Sequence, residues 1–191
     1  MIVWGLDVAT RTGFAFGSAG AKPVSGSVVL KKPSEETDVA CGNLLFFLQD
    51  RWRDAKPGLV AVEAPFSGAA VHAQRDRADE DGKKRRGSSE AALRLAHELQ
   101  GVVKAMCHVH GVRRVEVYPQ TWRRHFIGKG RLGSRDETKA AVIHRAHLLG
   151  LMPRESQDDN RADALGIQDW ACATHARVPP RELHFFGETP R

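Results

Sequence analysis

The sequence contains little cysteine and no long apolar run. Its three cysteines, Cys41, Cys107 and Cys172, form neither a CxxC pair nor a zinc-ligand pattern, which predicts reduced thiols rather than a disulfide framework. No apolar stretch approaches the roughly 20 residues that a membrane span needs. Residues 1–7 lack the basic start and the cleavage site of a secretory signal. We therefore expect a cytoplasmic protein that does not associate with membranes.

The charge is unevenly distributed in a chain of otherwise ordinary composition. Of the 191 residues 41% are apolar and 27% are charged, and the net charge is +6. A basic balance favours a polyanionic partner, and two separate basic clusters suit the phosphate backbone of a nucleic acid. The candidate phosphate-contacting residues are Lys83, Lys84, Arg85, Arg86, Arg123, Arg124, Lys129 and Arg131.

The order of the apolar segments predicts a mixed sheet flanked by helices. Three segments separated by glycine- and serine-containing turns indicate an antiparallel meander, and two short continuous runs further along are typical of buried parallel strands. We therefore predict an α/β fold with a five-stranded mixed sheet, three antiparallel strands followed by two parallel ones. The predicted strands span residues 2–6, 12–16, 24–30, 59–62 and 115–118.

Local signals place the helix ends. Ser34, with two glutamates after it, predicts the start of the first helix. Pro119 closes the last predicted strand, and Ser134 with Glu137 three residues later predicts a capping box. Asp158 with the next aspartate predicts the start of the last helix. The predicted units are one α/β domain at residues 1–177, a charged loop within it at 66–87, and a tail at 178–191.

Two carboxylates directly follow predicted strands. Asp7 comes after the first strand and Glu63 after the fourth, at the sheet edge where open α/β folds place ligands. An unpaired charge at a buried strand end is costly. Asp7 could instead cap a turn, and Glu63 could form an ion pair with Arg11 or Lys104.

A third acidic group lies in residues 158–165. Asp159 and Asn160 lie four and three residues before Asp163, so both can share one helical face with it. Asp158 or Asp159 can instead cap the helix. Carboxylates without paired Cys or His ligands favour Mg²⁺ or Mn²⁺. Two such ions can hydrolyse a phosphodiester without a Ser or Cys nucleophile.

With these motifs in this order, the chain resembles the RuvC family of Holliday junction resolvases, within the ribonuclease-H-like superfamily. The resemblance covers residues 2 to about 173. Residues 5–13 are similar to the first strand and turn of the family, residues 62–66 to its second acidic motif, and residues 162–165 to its closing one. Residues 120–130 look like its basic helix and glycine loop, and Lys139 falls where the family carries a lysine.

The resemblance implies a crossover junction endodeoxyribonuclease of DNA recombination and repair. Such an enzyme is a homodimer that nicks four-way junctions or other branched DNA with two Mg²⁺ or Mn²⁺ ions per site. It implies phosphate or transition-state contacts at Arg123 and Lys139, and base contact by Phe66. The resemblance implies metal ligands at Asp7, Glu63 and Asp163, with Asp159 or Asn160 as a further ligand. The candidate catalytic residues are Asp7, Glu63, Lys139, Asp159 and Asp163.

Two departures from the family pattern leave alternatives open. Asn160 stands where the family has Asp or His, so the fourth ligand is either its carbonyl oxygen or Asp159. Residues 68–87 are longer than the equivalent family loop, which also differs in phage- and prophage-encoded members. This length leaves the choice between junctions and other branched DNA open.

Two other functions compete with the DNA-nuclease hypothesis, and an RNA-cleaving enzyme on the same fold is a third possibility, because a metal-bound phosphate site does not itself distinguish RNA from DNA. Residues 7–13 also look like the first phosphate loop of actin-like sugar kinases and ATPases, although those proteins need two such lobes. A non-catalytic module that binds branched nucleic acid would retain the basic clusters, and Asn160 favours it.

Overall fold

The computed structural model describes residues 1–65 and 90–181, which form one sheet with helices on both faces. None of the helices in these two ranges is long and apolar enough to cross a lipid bilayer. The described elements are β1 (Ile2–Asp7), β2 (Arg11–Ser18), β3 (Val24–Val29), α1 (Thr37–Asp54), β4 (Leu59–Glu63), α2 (Glu90–Val109), β5 (Arg113–Val117), α3 (Pro119–Ile127), α4 (Arg135–Leu148) and α5 (Asp159–His175).

The five strands lie in the order β3-β2-β1-β4-β5. β1 pairs antiparallel with β2, and β2 antiparallel with β3, whereas β1 with β4 and β4 with β5 are parallel. The predicted fold class is therefore confirmed. In the parallel pair Leu6 lies opposite Val62, so Asp7 and Glu63 end neighbouring strands at the same edge of the sheet.

Two predicted element ends are wrong. α1 begins at Thr37, because Ser34 lies in a turn where the Glu35 carboxylate accepts the Lys32 amide N–H at 2.6 Å. Pro119 begins α3 instead of closing the last strand. Proline suits the first helical position because the amide hydrogen that it lacks has no partner there. The predicted capping box at Ser134 is confirmed.

α5 packs directly on β1 and β2 because glycines line the contact. A β-carbon on Gly5 would lie 2.5 Å from the Ala164 carbonyl oxygen, and one on Gly13 would overlap the Asn160 carbonyl oxygen. Ala164, whose methyl group would lie 3.3 Å from the added β-carbon of Gly13, is fully buried. The first turns of α5 can therefore reach the sheet edge where β1 ends.

The cysteines do not form disulfides. Cys107 and Cys172 are buried and Cys41 is half-buried, and all three are free thiols, as predicted. Burial raises the pKa of each thiol, and it raises that of Cys107 to about 11. These thiols are therefore poor nucleophiles.

Candidate active site

Three carboxylates converge at the end of β1. Asp7 and Glu63 come from the ends of β1 and β4, and Asp163 comes from the second turn of α5. Burial, followed by repulsion from Glu63 and Asp163, raises the pKa of Asp7 well above its ordinary value. Burial and then repulsion from Glu63 raise the pKa of Asp163 to about 7. The three acids therefore share one electrostatic environment that a cation would relieve.

The donor set suits Mg²⁺ or Mn²⁺, although the side chains do not form a closed cage. Within the described ranges, no three His, Cys, Asp or Glu side chains already enclose an ion position. All the converging donors are carboxylate oxygens, the ligands that these hard cations prefer. Arg123 supplies part of the missing positive charge, with Nη2 at 3.6 Å from Asp163 Oδ2. The residues present therefore fit a divalent ion.

Glu63 is held by neutral donors. The indole Nε1 of Trp122 donates to Glu63 Oε2 at 2.7 Å, and Gln100 Nε2 donates to the Glu63 backbone carbonyl at 2.6 Å. Burial raises the pKa of Glu63, while the Trp122 hydrogen bond and then Arg123 oppose that rise. Neither of the two ion-pair alternatives is present, because no salt bridge joins Glu63 to Arg11 or Lys104 within the described residues. Arg11 donates to the Ser27 hydroxyl at 3.1 Å.

The helix cap belongs to Asp158. Its Oδ1 accepts the Arg161 amide N–H at 3.1 Å, and its Oδ2 accepts the Ser27 hydroxyl at 2.6 Å. This confirms the capping interpretation for one member of the aspartate pair. Asp159 is therefore not needed to cap the helix.

Asp159 is engaged by Lys139 from α4. The Lys139 ammonium donates a hydrogen bond to Asp159 Oδ2, and the Asn160 side-chain nitrogen donates to Asp159 Oδ1 at 3.3 Å. Burial alone would raise the pKa of Asp159, but the hydrogen bond and charge of Lys139 hold it below its ordinary value. The charge of Lys139 also acts to lower the pKa of Asp163, so the ammonium stabilises the charged form of that carboxylate as well.

The basic residues of α3 and the following loop differ in burial. Arg123 is 24% exposed and stacks its guanidinium 4.9 Å from the Trp122 ring centroid. Arg124, Lys129 and Arg131 are exposed. The remaining candidates lie outside the described residues: Phe66, Lys83, Lys84, Arg85 and Arg86.

Several groups that complete the site carry no motif in the sequence. Trp122 and Gln100 lie 59 and 37 residues from Glu63, on different helices. In the sequence, Trp122 can be explained equally well as an ordinary core residue on the apolar face of its helix. Only the polar Gln100 within the buried face of α2 offers a sequence signal, because a buried amide needs a partner.

Comparison with known proteins supports the fold. No protein-family model matches the chain, and no curated protein matches it. Thermus thermophilus RuvC in complex with a Holliday junction substrate superposes with a TM-score of 0.62 at 19% identity, over 88% of this chain and 90% of that one.

Two other solved structures are similar. A second Thermus thermophilus RuvC structure gives a TM-score of 0.58 at 22% identity, over 88% of this chain and 91% of that one. The yeast mitochondrial Holliday junction resolvase Ydc2 gives 0.52 at 12% identity, over 87% and 75% of the two chains. The chain therefore has the ribonuclease-H-like fold of the RuvC Holliday junction resolvases.

Proposed function

We propose that this protein is a metal-dependent endonuclease that nicks four-way junctions or other branched DNA. The observation that carries the proposal is the convergence of Asp7, Glu63 and Asp163 at one sheet edge, with Arg123 and Lys139 beside them. The junction in the Thermus thermophilus RuvC complex supports branched DNA as the substrate class. We further propose a homodimer, because two symmetric nicks require two sites.

Asp7, Glu63 and Asp163 would hold Mg²⁺ or Mn²⁺. Two such ions, when bound, activate a water and stabilise the leaving 3′-oxygen of a phosphodiester. The carboxylates must be deprotonated to bind, and the charges of Arg123 and Lys139 favour that state at Asp163. The raised carboxylate pKa values indicate a site poised to exchange protons for a metal ion.

Arg123 and Lys139 would bind the scissile phosphate. Both approach the acids from neighbouring helices, α3 and α4, and both already contact a carboxylate of the site. An ammonium has three N–H donors and a guanidinium five, so each cation can donate a further charge-assisted hydrogen bond to a phosphate oxygen while it keeps its carboxylate partner. The two residues would therefore orient the phosphate and stabilise its developing charge.

We assign the fourth ligand position to the side-chain carbonyl of Asn160. Lys139 already neutralises Asp159, and that ion pair would have to break before Asp159 could bind an ion. The Asn160 side-chain nitrogen faces Asp159. Its carbonyl oxygen then remains available, and an amide oxygen is a common ligand of hard cations.

A substrate panel tests the function. Labelled four-way junction, flap, duplex and RNA–DNA hybrid are incubated with the protein in Mg²⁺, Mn²⁺ or EDTA. We expect metal-dependent nicking of a branched DNA that Asp7→Asn and Glu63→Gln abolish while junction binding persists. Full cleavage by both variants would refute the site.

Other outcomes of the panel identify the competing functions. Asn160 and the Lys139–Asp159 pair favour a module that binds branched nucleic acid without cutting it, and tight junction binding without cleavage of any substrate would support that role. Stabilisation of the fold by ATP in a thermal melt would support the phosphate-loop alternative.

A further inference from the structure

The side chain of Trp122 contacts two charged groups of the candidate site at once. Its Nε1 donates to Glu63 Oε2 at 2.7 Å. The Arg123 guanidinium lies 4.9 Å from its ring centroid, and that guanidinium reaches to 3.6 Å from Asp163. One indole therefore links a carboxylate of β4 to the cation that faces a carboxylate of α5.

The indole ring of Trp122 is buried and closely packed. Trp122 is fully buried. It packs against the α5 backbone at Gly166, where an added β-carbon would lie 2.6 Å from Cζ3 and 2.7 Å from Cε3 of the indole. The indole therefore packs directly against the helix backbone at Gly166, where any side chain larger than hydrogen would collide with it.

We propose that Trp122 is a positioning residue for Glu63 and Arg123. The indole N–H occupies Glu63 Oε2, so the carboxylate presents Oε1 to a divalent ion. The ring face holds the Arg123 guanidinium beside Asp163. This inference rests on the proposed function, because it assigns Glu63 the role of a metal ligand.

The chemistry of indole suits this task. Its N–H is a donor only, so Trp122 can neither bind the ion nor take a proton from Glu63. A cationic donor at the same place would compete with the metal for the carboxylate, whereas a neutral one orients it. Removal of such an outer-shell partner typically weakens metal binding by about 10- to 100-fold.

The test removes the N–H and keeps the ring. Trp122→Phe deletes the donor but retains an aromatic face for Arg123, and Trp122→3-benzothienylalanine replaces the N–H with sulfur in a ring of nearly the same shape. The matched control is Trp170→Phe on α5, where the ring packs edge-on against His175 with the ring centroids 5.2 Å apart. If Trp122→Phe weakens folding because its ring is smaller, the benzothienyl variant still measures the effect of removing the N–H alone.

Binding of Mn²⁺ to the full chain is measured by electron paramagnetic resonance, and unfolding midpoints are recorded without metal. We expect both Trp122 variants to weaken Mn²⁺ binding about tenfold or more. We expect Trp170→Phe to stay within about twofold of wild type, since scatter of that size accompanies substitutions far from a site. A benzothienyl variant that folds and binds Mn²⁺ like wild type would overturn the inference.

The two proposals fail in different ways. A wild-type protein that binds no Mn²⁺ and cuts no branched DNA would refute the proposed function and the inference with it. A wild-type protein that binds Mn²⁺ and cuts, beside Trp122 variants that bind Mn²⁺ equally well, would refute the positioning role alone.

Discussion

Asp7 lies directly across from Gly13 in the antiparallel pair of β1 and β2. Because Gly13 has no side chain, the Asn160 carbonyl rests on its backbone, and the first turn of α5 reaches the sheet beside Asp7. One missing side chain thus allows Asp163 to join a carboxylate 156 residues earlier in the chain.

We expect Gly13→Ala to destabilise the fold by about 1–3 kcal/mol, as overpacking of a close contact usually does. The added methyl group must displace α5 from the sheet, so Mn²⁺ binding should weaken as well. Urea unfolding monitored by circular dichroism measures the first effect. The control is Gly101→Ala on α2, where no atom lies within 4 Å of the added carbon. That change should stabilise the helix by about 0.5–1 kcal/mol.

Asp163→Asn should stabilise the metal-free protein at neutral and alkaline pH. The pKa of Asp163 is raised from an ordinary 3.8 to about 7, so the folded chain holds a proton that the unfolded chain has lost between these values. The unfolding free energy of the wild type therefore falls as pH rises through this window and levels off above it. Removal of the buried charge should add on the order of 4 kcal/mol at pH 8 and much less at pH 4.

Thermal melts of the two proteins at pH 4 and pH 8, without metal, check this expectation. Asp136→Asn, at an exposed position in the first turn of α4, is the control and should show no comparable gain at pH 8. A wild type that matches Asp163→Asn in stability at both pH values would show that Asp163 carries no burial penalty.

Binding of Mn²⁺ should strengthen from pH 6 to pH 8. A divalent ion needs the Asp163 carboxylate, which is largely protonated below a pKa of about 7. Affinity should rise by up to about tenfold per pH unit below that pKa and level off above it. Titrations in weakly buffered solution should also detect released protons. A pH-independent affinity would exclude Asp163 from the ligand set.

Asp159 and Asn160 should respond differently to substitution. Asp159→Asn removes a partner of Lys139, and we expect Mn²⁺ affinity to change by less than about threefold. Asn160→Ala should weaken Mn²⁺ binding by about tenfold or more, and Asn160→Asp should strengthen it by adding a charged oxygen. The reverse order, with Asp159→Asn the more damaging change, would make Asp159 the ligand.

Arg123→Ala should slow cleavage of a branched substrate by about 100-fold, the scale of one lost transition-state contact. Arg124→Ala is the matched control, because its neighbouring side chain is exposed. That control should weaken junction binding in a salt-dependent way and leave single-turnover cleavage at saturating protein nearly unchanged. Equal cleavage defects in both variants would remove Arg123 from the site.

The sequence by itself determined the strand pattern, the helical turn at Asp163 and the strand-end acids Asp7 and Glu63. These features are local, because the spacing of apolar residues that predicts a strand or a helix depends only on residues close together in the sequence. Even so, two local signals were misleading. Ser34 lies in a turn that the Glu35 carboxylate stabilises, so it does not begin a helix. Pro119 begins a helix, a position that proline favours as readily as the end of a strand.

Only the tertiary structure decided which residues hold the acids. Trp122 reaches Glu63 across 59 residues and Lys139 reaches Asp159 across 20, and no local pattern marks either pair. Both contacts depend on how α3, α4 and α5 pack on the sheet, which Gly13 and Gly166 permit by lacking side chains. A glycine in the sequence does not show which element will pack against it. The close contacts at these two glycines therefore became visible only once the positions of the helices were known.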